Sequence, residues 1–579
     1  MRENVRCPKI SFAMRRLCLA AFVLLPGCHM PEYEIFQDQQ EKFASNGSDS
    51  SGDAEPTADD TAASTGAIGS DSATGDASDT ADATDTAPQS GTATDTGDAS
   101  DTADSPPVGE PDKPVIVSIE LPANVYAAGP VALAVQAEHT GSVHVTLDGV
   151  DAGELIAAGA GLFTGSLAIH GAIDNGSHEV EVIATQGKYE DSKPAMFNVS
   201  TPDPGTEAWS QAGPAASRTN RVAVTPAGDL IEVGQTVIGG IPRPTIRKRS
   251  AVTGAELWPE GTIVLDTREG AVVAVAVLPD GRMWVAMNVR EPMKDSRPRI
   301  ALLDADGQAV GIEALGTAGR VVRALAVDAE GACFAVGLAG VMGDWDFAYW
   351  RIDTTGEQTL GETYDYRPFG QEPHSYVDLA SDVVIDGDVA WIVGMSKGQH
   401  DLEAKVIDFY LRGVLVPLNL HTGKLAGPVV VAPTAPGWLQ SALFGATLHP
   451  QGVLATGYRC DKICSTYQIE TSLYSFDGVR TWSEHEADNS GLAYGSDVAF
   501  DGQGRALVSA AVTQNGKLRG YVFGRKVGPP GPIVFDHWYP GAGPSEVLGI
   551  ARDVFDRIFP VGYVTVNGET EARVTRIHG

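Results

Sequence analysis

Arg221–Gly234 reads RVAVTPAGDLIEVG, and its pattern returns six times. Ala274–Met287 is AVAVLPDGRMWVAM, Ala324–Gly337 is ALAVDAEGACFAVG and Asp382–Gly394 is DVVIDGDVAWIVG. Gly445–Gly457 is GATLHPQGVLATG, Asp497–Ala510 is DVAFDGQGRALVSA and Ile550–Gly562 is IARDVFDRIFPVG. Each is an apolar run, a turn signal and a second apolar run. Alternating Val, Ala, Ile and Leu with Phe or Trp suits a pleated strand with one face buried. The turn glycines Gly228, Gly281, Gly331, Gly387, Gly452 and Gly504 supply the backbone freedom a tight hairpin needs, and Asp556 stands at the seventh position.

A second hairpin follows in most units, at Leu302–Val310, Arg351–Gln358, Leu418–Lys424 and Tyr474–Trp482. Two hairpins make four strands, the content of one propeller blade, and a repeat of roughly 50 to 65 residues is a blade period. The reading is all-β, with a seven-bladed β-propeller over 203–579. Six or eight blades remain open, because the unit between Gly387 and Gly452 is long. A turn glycine four residues before Trp occurs at Gly254/Trp258, Gly478/Trp482 and Gly205/Trp209. The last lies ahead of the first full repeat, and the chain ends at Arg576-Ile577-His578-Gly579. The segment around Trp209 is therefore expected to complete the blade begun at the C-terminal end, which covers both free sheet edges.

The rest of the chain reads outward from there. Residues 1–27 have a basic start at Arg15-Arg16 and a short apolar run, Leu17–Leu25, too short to span a bilayer. Leu25-Pro26-Gly27-Cys28 resembles the lipobox of bacterial lipoproteins. That resemblance implies cleavage before Cys28, lipid on its thiol and acylation of the new amine. His29 in the following position implies the outer membrane. From Cys28 to 112 the composition is mostly Asp, Thr, Ala, Ser and Gly, with Lys42 as the one basic residue. Such a segment buries too little apolar area to offset ordering entropy and is expected to be a disordered acidic tether. As a flexible coil it would span roughly 50 Å. Residues 113–202 carry short strand patterns at Val115–Leu121, Val131–Glu138, Ser142–Leu147, Leu162–Ile169, His178–Thr185 and Ala195–Ser200. That pattern resembles a small immunoglobulin-like β-sandwich without the inter-sheet cysteine pair.

The chemistry is sparse. A net charge of −34 excludes a nucleic-acid backbone as principal partner. There is no nucleophile elbow, paired-histidine zinc helix or phosphate loop, and no cofactor or metal site is expected. Cys333 lies in an apolar strand run and reads as core. Cys460 and Cys464 are a candidate disulfide, with free thiols or a metal as the alternatives. Asp304-Ala305-Asp306-Gly307 resembles the opening of a calcium loop but lacks the remaining ligands, and a hairpin turn explains it better. Glu269, Asp378 and Glu546 precede inner strands near the channel mouth, where single carboxylates are ordinarily solvated.

Gly254–Trp258 resembles the docking repeat of pyrroloquinoline-quinone-type propellers. Gly343–Phe347 with Arg351–Gly356 resembles the blade repeat of bacterial SBBP-type surface propellers. Both resemblances imply fold, not oxidoreductase activity. The function expected is a lipid-anchored envelope protein, not an enzyme, whose propeller binds a protein or glycan. The candidate binding loops are Arg290–Arg299, Tyr364–Tyr376 and Gln399–Leu411, carrying Arg297, Tyr364, Tyr366, His374, Tyr376 and His400. The alternatives are an outer-membrane assembly scaffold, similar in layout to the lipid-anchored propeller that helps insert β-barrels, and a polysaccharide lyase or hydrolase using channel acids. Partners are the membrane, through the N-terminal lipid, and an unknown protein or glycan.

Overall fold

Several of the tight turns open on an aspartate whose side chain builds the turn. One carboxylate oxygen of Asp328 accepts the N–H groups of Glu330 (3.1 Å) and Ala332 (2.8 Å). Asp501 does the same for Gln503 (2.9 Å) and Arg505 (2.8 Å), and Asp553 for Phe555 (2.9 Å) and Arg557 (3.0 Å). Such local side-chain bonds compete with extended pairing and fix a reversal. Asp304 and Asp353 close the second hairpins alike, so the Asp304–Gly307 stretch is a hairpin turn. Gly331 and Gly504 sit at φ 82° and 79°. Asp556 occupies the same left-handed region at φ 56°. Its carboxylate accepts Gly502 N–H (3.1 Å) from the neighbouring turn and an Arg552 N–H (3.2 Å), which offsets the strain of a side chain there.

The structure, a computed structural model, describes residues 112–290, 296–315, 320–341, 344–364, 377–398, 410–433, 438–461, 464–489, 491–541 and 543–579. Asp112–Gly579 is one compact unit. From Glu207 onward the hairpins form antiparallel four-stranded meanders. The first comprises Ser217–Val224, Leu230–Ile238, Ile241–Arg249 and Thr262–Val264. The next five begin with Glu269–Val277, Arg320–Val327, Val377–Asp386, Trp438–His449 and Ala493–Phe500. The third and fourth share an edge, where Trp345 pairs with Val377. The seventh, Ser545–Arg552, Ile558–Val566 and Glu569–Ile577, takes its outer strand, Glu207–Ala215, from the front of the repeat region. Trp209 faces Arg576 there, as the glycine–tryptophan spacing predicts. The first strands touch in succession, and Ser545–Arg552 touches Ser217–Val224, which closes a ring. The architecture is all-β and propeller-like.

The glycine ending five of the seven stretches quoted above has a steric cause. Each first strand carries a bulge, and the glycine of the second strand sits against it. A Cβ on Gly234, Gly337, Gly394, Gly457 or Gly562 would lie 1.9–2.0 Å from a carbonyl oxygen of the first strand. Apolar side chains then fill the space between successive sheets. Ile231 and Val233 of the first pack with Val285 and Met287 of the second. Trp284 and Ile300 of the second pack with Cys333 and Trp350 of the third. Burial pushes the Cys333 thiol far up, so it is an inert core group.

Ahead of the ring, two sheets share an apolar core that includes Leu133, Val135, Val182 and Phe197. One orders Val115–Glu120, Gly129–Glu138, Leu162–Ile169 and Ile156–Gly159. The other orders Asn124–Val125, Tyr189–Val199, Gly176–Gln186, Ser142–Leu147 and Val150–Glu154. Tyr189–Val199 is longer than the expected Ala195–Ser200. Its first half, Tyr-Glu-Asp-Ser-Lys-Pro, is polar and mostly exposed, so no apolar alternation marks it.

Candidate functional site

Antiparallel alternation gives the ring two unlike faces. First strands run into tight turns at one, the turn face. The links from second to third strand, and from each sheet to the next, lie at the other, the loop face. Two residues link the second strand to the third in four sheets: Gly239-Gly240 in the first, 342–343 in the third, Asn515-Gly516 in the sixth and Asn567-Gly568 in the seventh. By sequence the longest links between strands are 399–409, within the fourth sheet, and 365–376, between the third and the fourth, and both lie outside the described residues.

Of the expected binding residues, the structure places two. Arg297 is exposed, but it lies within Ser296–Leu303 opposite Val289. Half of the expected loop Arg290–Arg299 is therefore strand, because Arg290 already pairs with Ser296, and 291–295 lie outside the described residues. Tyr364 is half-buried at the end of Gln358–Tyr364. Tyr366, His374, Tyr376 and His400 lie outside the described residues, as does Cys28. Cys460 and Cys464 are joined as a disulfide, with Cα atoms 4.9 Å apart, at the loop-face end of Gly452–Asp461. Glu269 begins its first strand exposed, whereas Asp378 and Glu546 are buried in theirs. Among the described residues no group of three or more His, Cys, Asp or Glu is placed to hold a metal ion.

Sequence reasoning passed over the rim of the fifth sheet. Trp438 begins the first strand half-buried, and the Arg459 guanidinium lies 4.7 Å over its ring. The Arg459 Nε–H donates to Gln468 Oε1 at 2.7 Å. An arginine stacked on an indole at a rim is the pairing binding hot spots favour. Trp258 and Trp482, which the glycine spacing singles out, are instead core, at 7% and 8% exposure. Behind the rim, Phe444, Tyr458, Tyr467 and Tyr494 form a ring cluster with centroids 5.7–6.0 Å apart. Burial raises the Tyr458 phenol to about 12.

The acids brought together on the ring's axis are Asp382 and Asp497, also missed. Asp382 accepts Val383 N–H (2.8 Å) and, across to the fifth sheet, Ala446 N–H (2.9 Å). Asp497 accepts Val498 N–H (2.8 Å) and, across to the seventh, Ile550 N–H (3.1 Å). Arg221 of the first sheet approaches Asp497 to 4.0 Å and donates to the Leu548 carbonyl. Burial, then the charge of Asp497, raises Asp382 to about 7 against the pull of Arg221. Burial also raises Asp497, opposed by Arg221. The signal was present in the sequence. Ser-Asp-Val recurs at Ser381–Val383 and Ser496–Val498, in the same register of two repeats.

No family model matches the chain, and no curated protein does. Among solved structures it is similar to the polysaccharide lyase Uly1 at 11% identity and TM-score 0.39, covering 62% of this chain and 89% of that one. It is similar to Sqt1 from Chaetomium thermophilum at 13% identity and TM-score 0.35, covering 62% and 96%. A quinonprotein alcohol dehydrogenase-like protein from Bacteroides thetaiotaomicron matches at 8% identity and TM-score 0.25, covering 62% and 93%. At these scores none assigns a role to any residue of this chain.

Proposed function

We propose that this chain is a lipid-anchored cell-envelope protein whose seven-bladed β-propeller is a binding platform for a protein or glycan. In this reading Cys28 carries the lipid at the outer membrane and the segment to residue 112 is a tether. Residues 113–202 are an immunoglobulin-like spacer, and 203–579 are the propeller. The observation that carries it is the asymmetry of the loop face. Two residues link second to third strand in four sheets, while the two longest links in the sequence belong to the third and fourth, next to the fifth sheet that carries the Trp438–Arg459 pair. A rigid scaffold with its irregular connections gathered on one side is how binding surfaces are ordinarily built. The oxygens of Asp382 and Asp497 each accept a main-chain N–H, which ties these acids into the frame.

The test is photo-crosslinking in intact cells, with a crosslinking residue at Arg297 or, on the turn face, at Val554. One discrete partner, protein or glycan, captured from position 297 and not from 554 is the expected result. Equal capture from both positions, or none from either, removes the platform. The address is tested separately. Cys28→Ser protein should leave the detergent phase in phase partitioning, and a variant that stays there refutes lipid anchoring.

A further inference from the structure

The joint that closes the ring carries more buried positive charge than acid to meet it. Arg576, in Glu569–Ile577, is 5% exposed. Its Nη1–H donates to the Val252 carbonyl (3.2 Å), in the turn after Ile241–Arg249, which the Trp209 indole N–H also reaches (3.0 Å). Its Nε and Nη2 are buried, with no hydrogen-bond acceptor among the described residues. Two residues on, His578 is 6% exposed, and its Nδ1 is likewise buried and unpartnered. A third cation, Arg557, enters buried from the turn of the seventh sheet. It reaches the first sheet, where a Cβ on Gly228 would lie 3.8 Å from its Nη2.

The acid whose charge acts on Arg576 is Asp553, and its oxygens are already taken. One accepts the N–H groups of Phe555 and Arg557, and the other accepts Arg557 Nε–H. Burial, then the charge of Arg557, pulls Arg576 down to about 10 against Asp553. Burial and then Arg576 lower His578. A guanidinium at that value is still charged at neutral pH. A buried cation without a counter-charge, with two N–H groups lacking acceptors, is costly on both counts. The group these donors suit accepts hydrogen bonds and donates none. Phosphate or sulfate would bring several oxygens, most of them unmet among buried atoms. A single-atom anion needs only donors, and it suits a guanidinium, which is itself weakly hydrated.

We propose that Arg576 Nε and Nη2, with His578 Nδ1, form a buried chloride site at the joint between the seventh and first sheets. The ion offsets the repulsion between Arg557 and Arg576. It steadies the strand that carries Arg576, whose Nη1 is tied to the first sheet, so closure of the ring is anion-dependent. This site is separate from the platform reading and does not rest on it.

Thermal unfolding of the full chain, with sodium gluconate exchanged stepwise for sodium chloride at fixed ionic strength, tests it. Once the site fills, the midpoint should rise by about 2 °C for each tenfold increase in chloride, and bromide should substitute. Arg576→Met should lose that dependence and unfold at one temperature throughout the series. Crystals of the native chain grown in bromide give a readout that needs no variant. Anomalous density should stand at hydrogen-bonding distance from Arg576 Nε and Nη2. A native midpoint equal in chloride and gluconate, or a water there with no anomalous signal, overturns the site.

Discussion

Asp382 makes the stability of the ring depend on pH in a direction opposite to that of an ordinary salt-bridged acid. Its carboxyl is raised from 3.8 to about 7, first by burial and then by Asp497. Between those values the folded state keeps a proton that the unfolded state has released, so stability falls as pH rises and levels off above the folded value. At about 1.36 kcal/mol per pH unit, the whole window is worth about 4 kcal/mol. Roughly 3 kcal/mol of this is lost between about pH 5 and about pH 8. For a ring of roughly 370 residues, that lowers the unfolding midpoint by about 3–4 °C. Asp382→Asn cannot ionise. It sets an amide N–H₂ against a main-chain N–H, a pH-independent cost of about 1–3 kcal/mol. The informative quantity is therefore the midpoint of the variant minus that of the native protein. Followed by circular dichroism, it should rise by about 3–4 °C from pH 5 to pH 8. Asp497→Asn removes the neighbouring charge, so the window should move to lower pH while keeping its sign. A difference that is flat with pH would refute the claim that Asp382 folds protonated.

Four further outcomes follow from the geometry. Gly394→Ala puts a Cβ 1.9 Å from the Leu379 carbonyl oxygen and should cost about 3 kcal/mol or more, read as a midpoint drop of several degrees. Ala510→Gly, in the same register of the sixth sheet, should cost no more than about 1 kcal/mol. Trp209→Ala removes the indole N–H bond to the Val252 carbonyl (3.0 Å) and the ring contact with Phe559. The expected loss is about 2–3 kcal/mol, and an unchanged melting curve would show that the closing strand bears little of the ring's stability. Cys464→Ser should cost at most about 2 kcal/mol, because the closed loop is short. Reductant should lower the native midpoint by the same amount and leave the variant's unchanged.

What the sequence disclosed, and what it withheld, divides along period. The hairpins were legible because alternation and turn glycines are local signals that recur. Closure was legible because the Gly205/Trp209 spacing repeats one found inside the array. The strand at Tyr189–Pro194 was hidden because an exposed strand needs no apolar face. The Arg290–Arg299 stretch read as a loop because its charges mask the pairing of Arg290 with Ser296. Asp382 and Asp497 were hidden for a different reason. They open two of the quoted repeats, but a carboxylate inside an apolar strand run carries no mark of what lies across the axis. Only ring closure brings Arg221, Asp382 and Asp497, from the first, fourth and sixth sheets, to one place.

That convergence also explains why the ring tolerates such poorly solvated carboxyl groups. Each bulge interrupts the ladder of a first strand. Asp382 and Asp497, at two of these bulges, each accept a main-chain N–H of the next sheet. Asn220 does related work by donating to the Val272 carbonyl (2.7 Å), and Asn288 by both donating to and accepting from Val322 (2.8 and 3.0 Å). The polar side chains near the axis are thus ties between sheets, made where the apolar clusters between them thin out. A ring held in this way keeps its inner strands in register with one another. The acids that a search for catalysis would seize on are the same ones that hold the frame together.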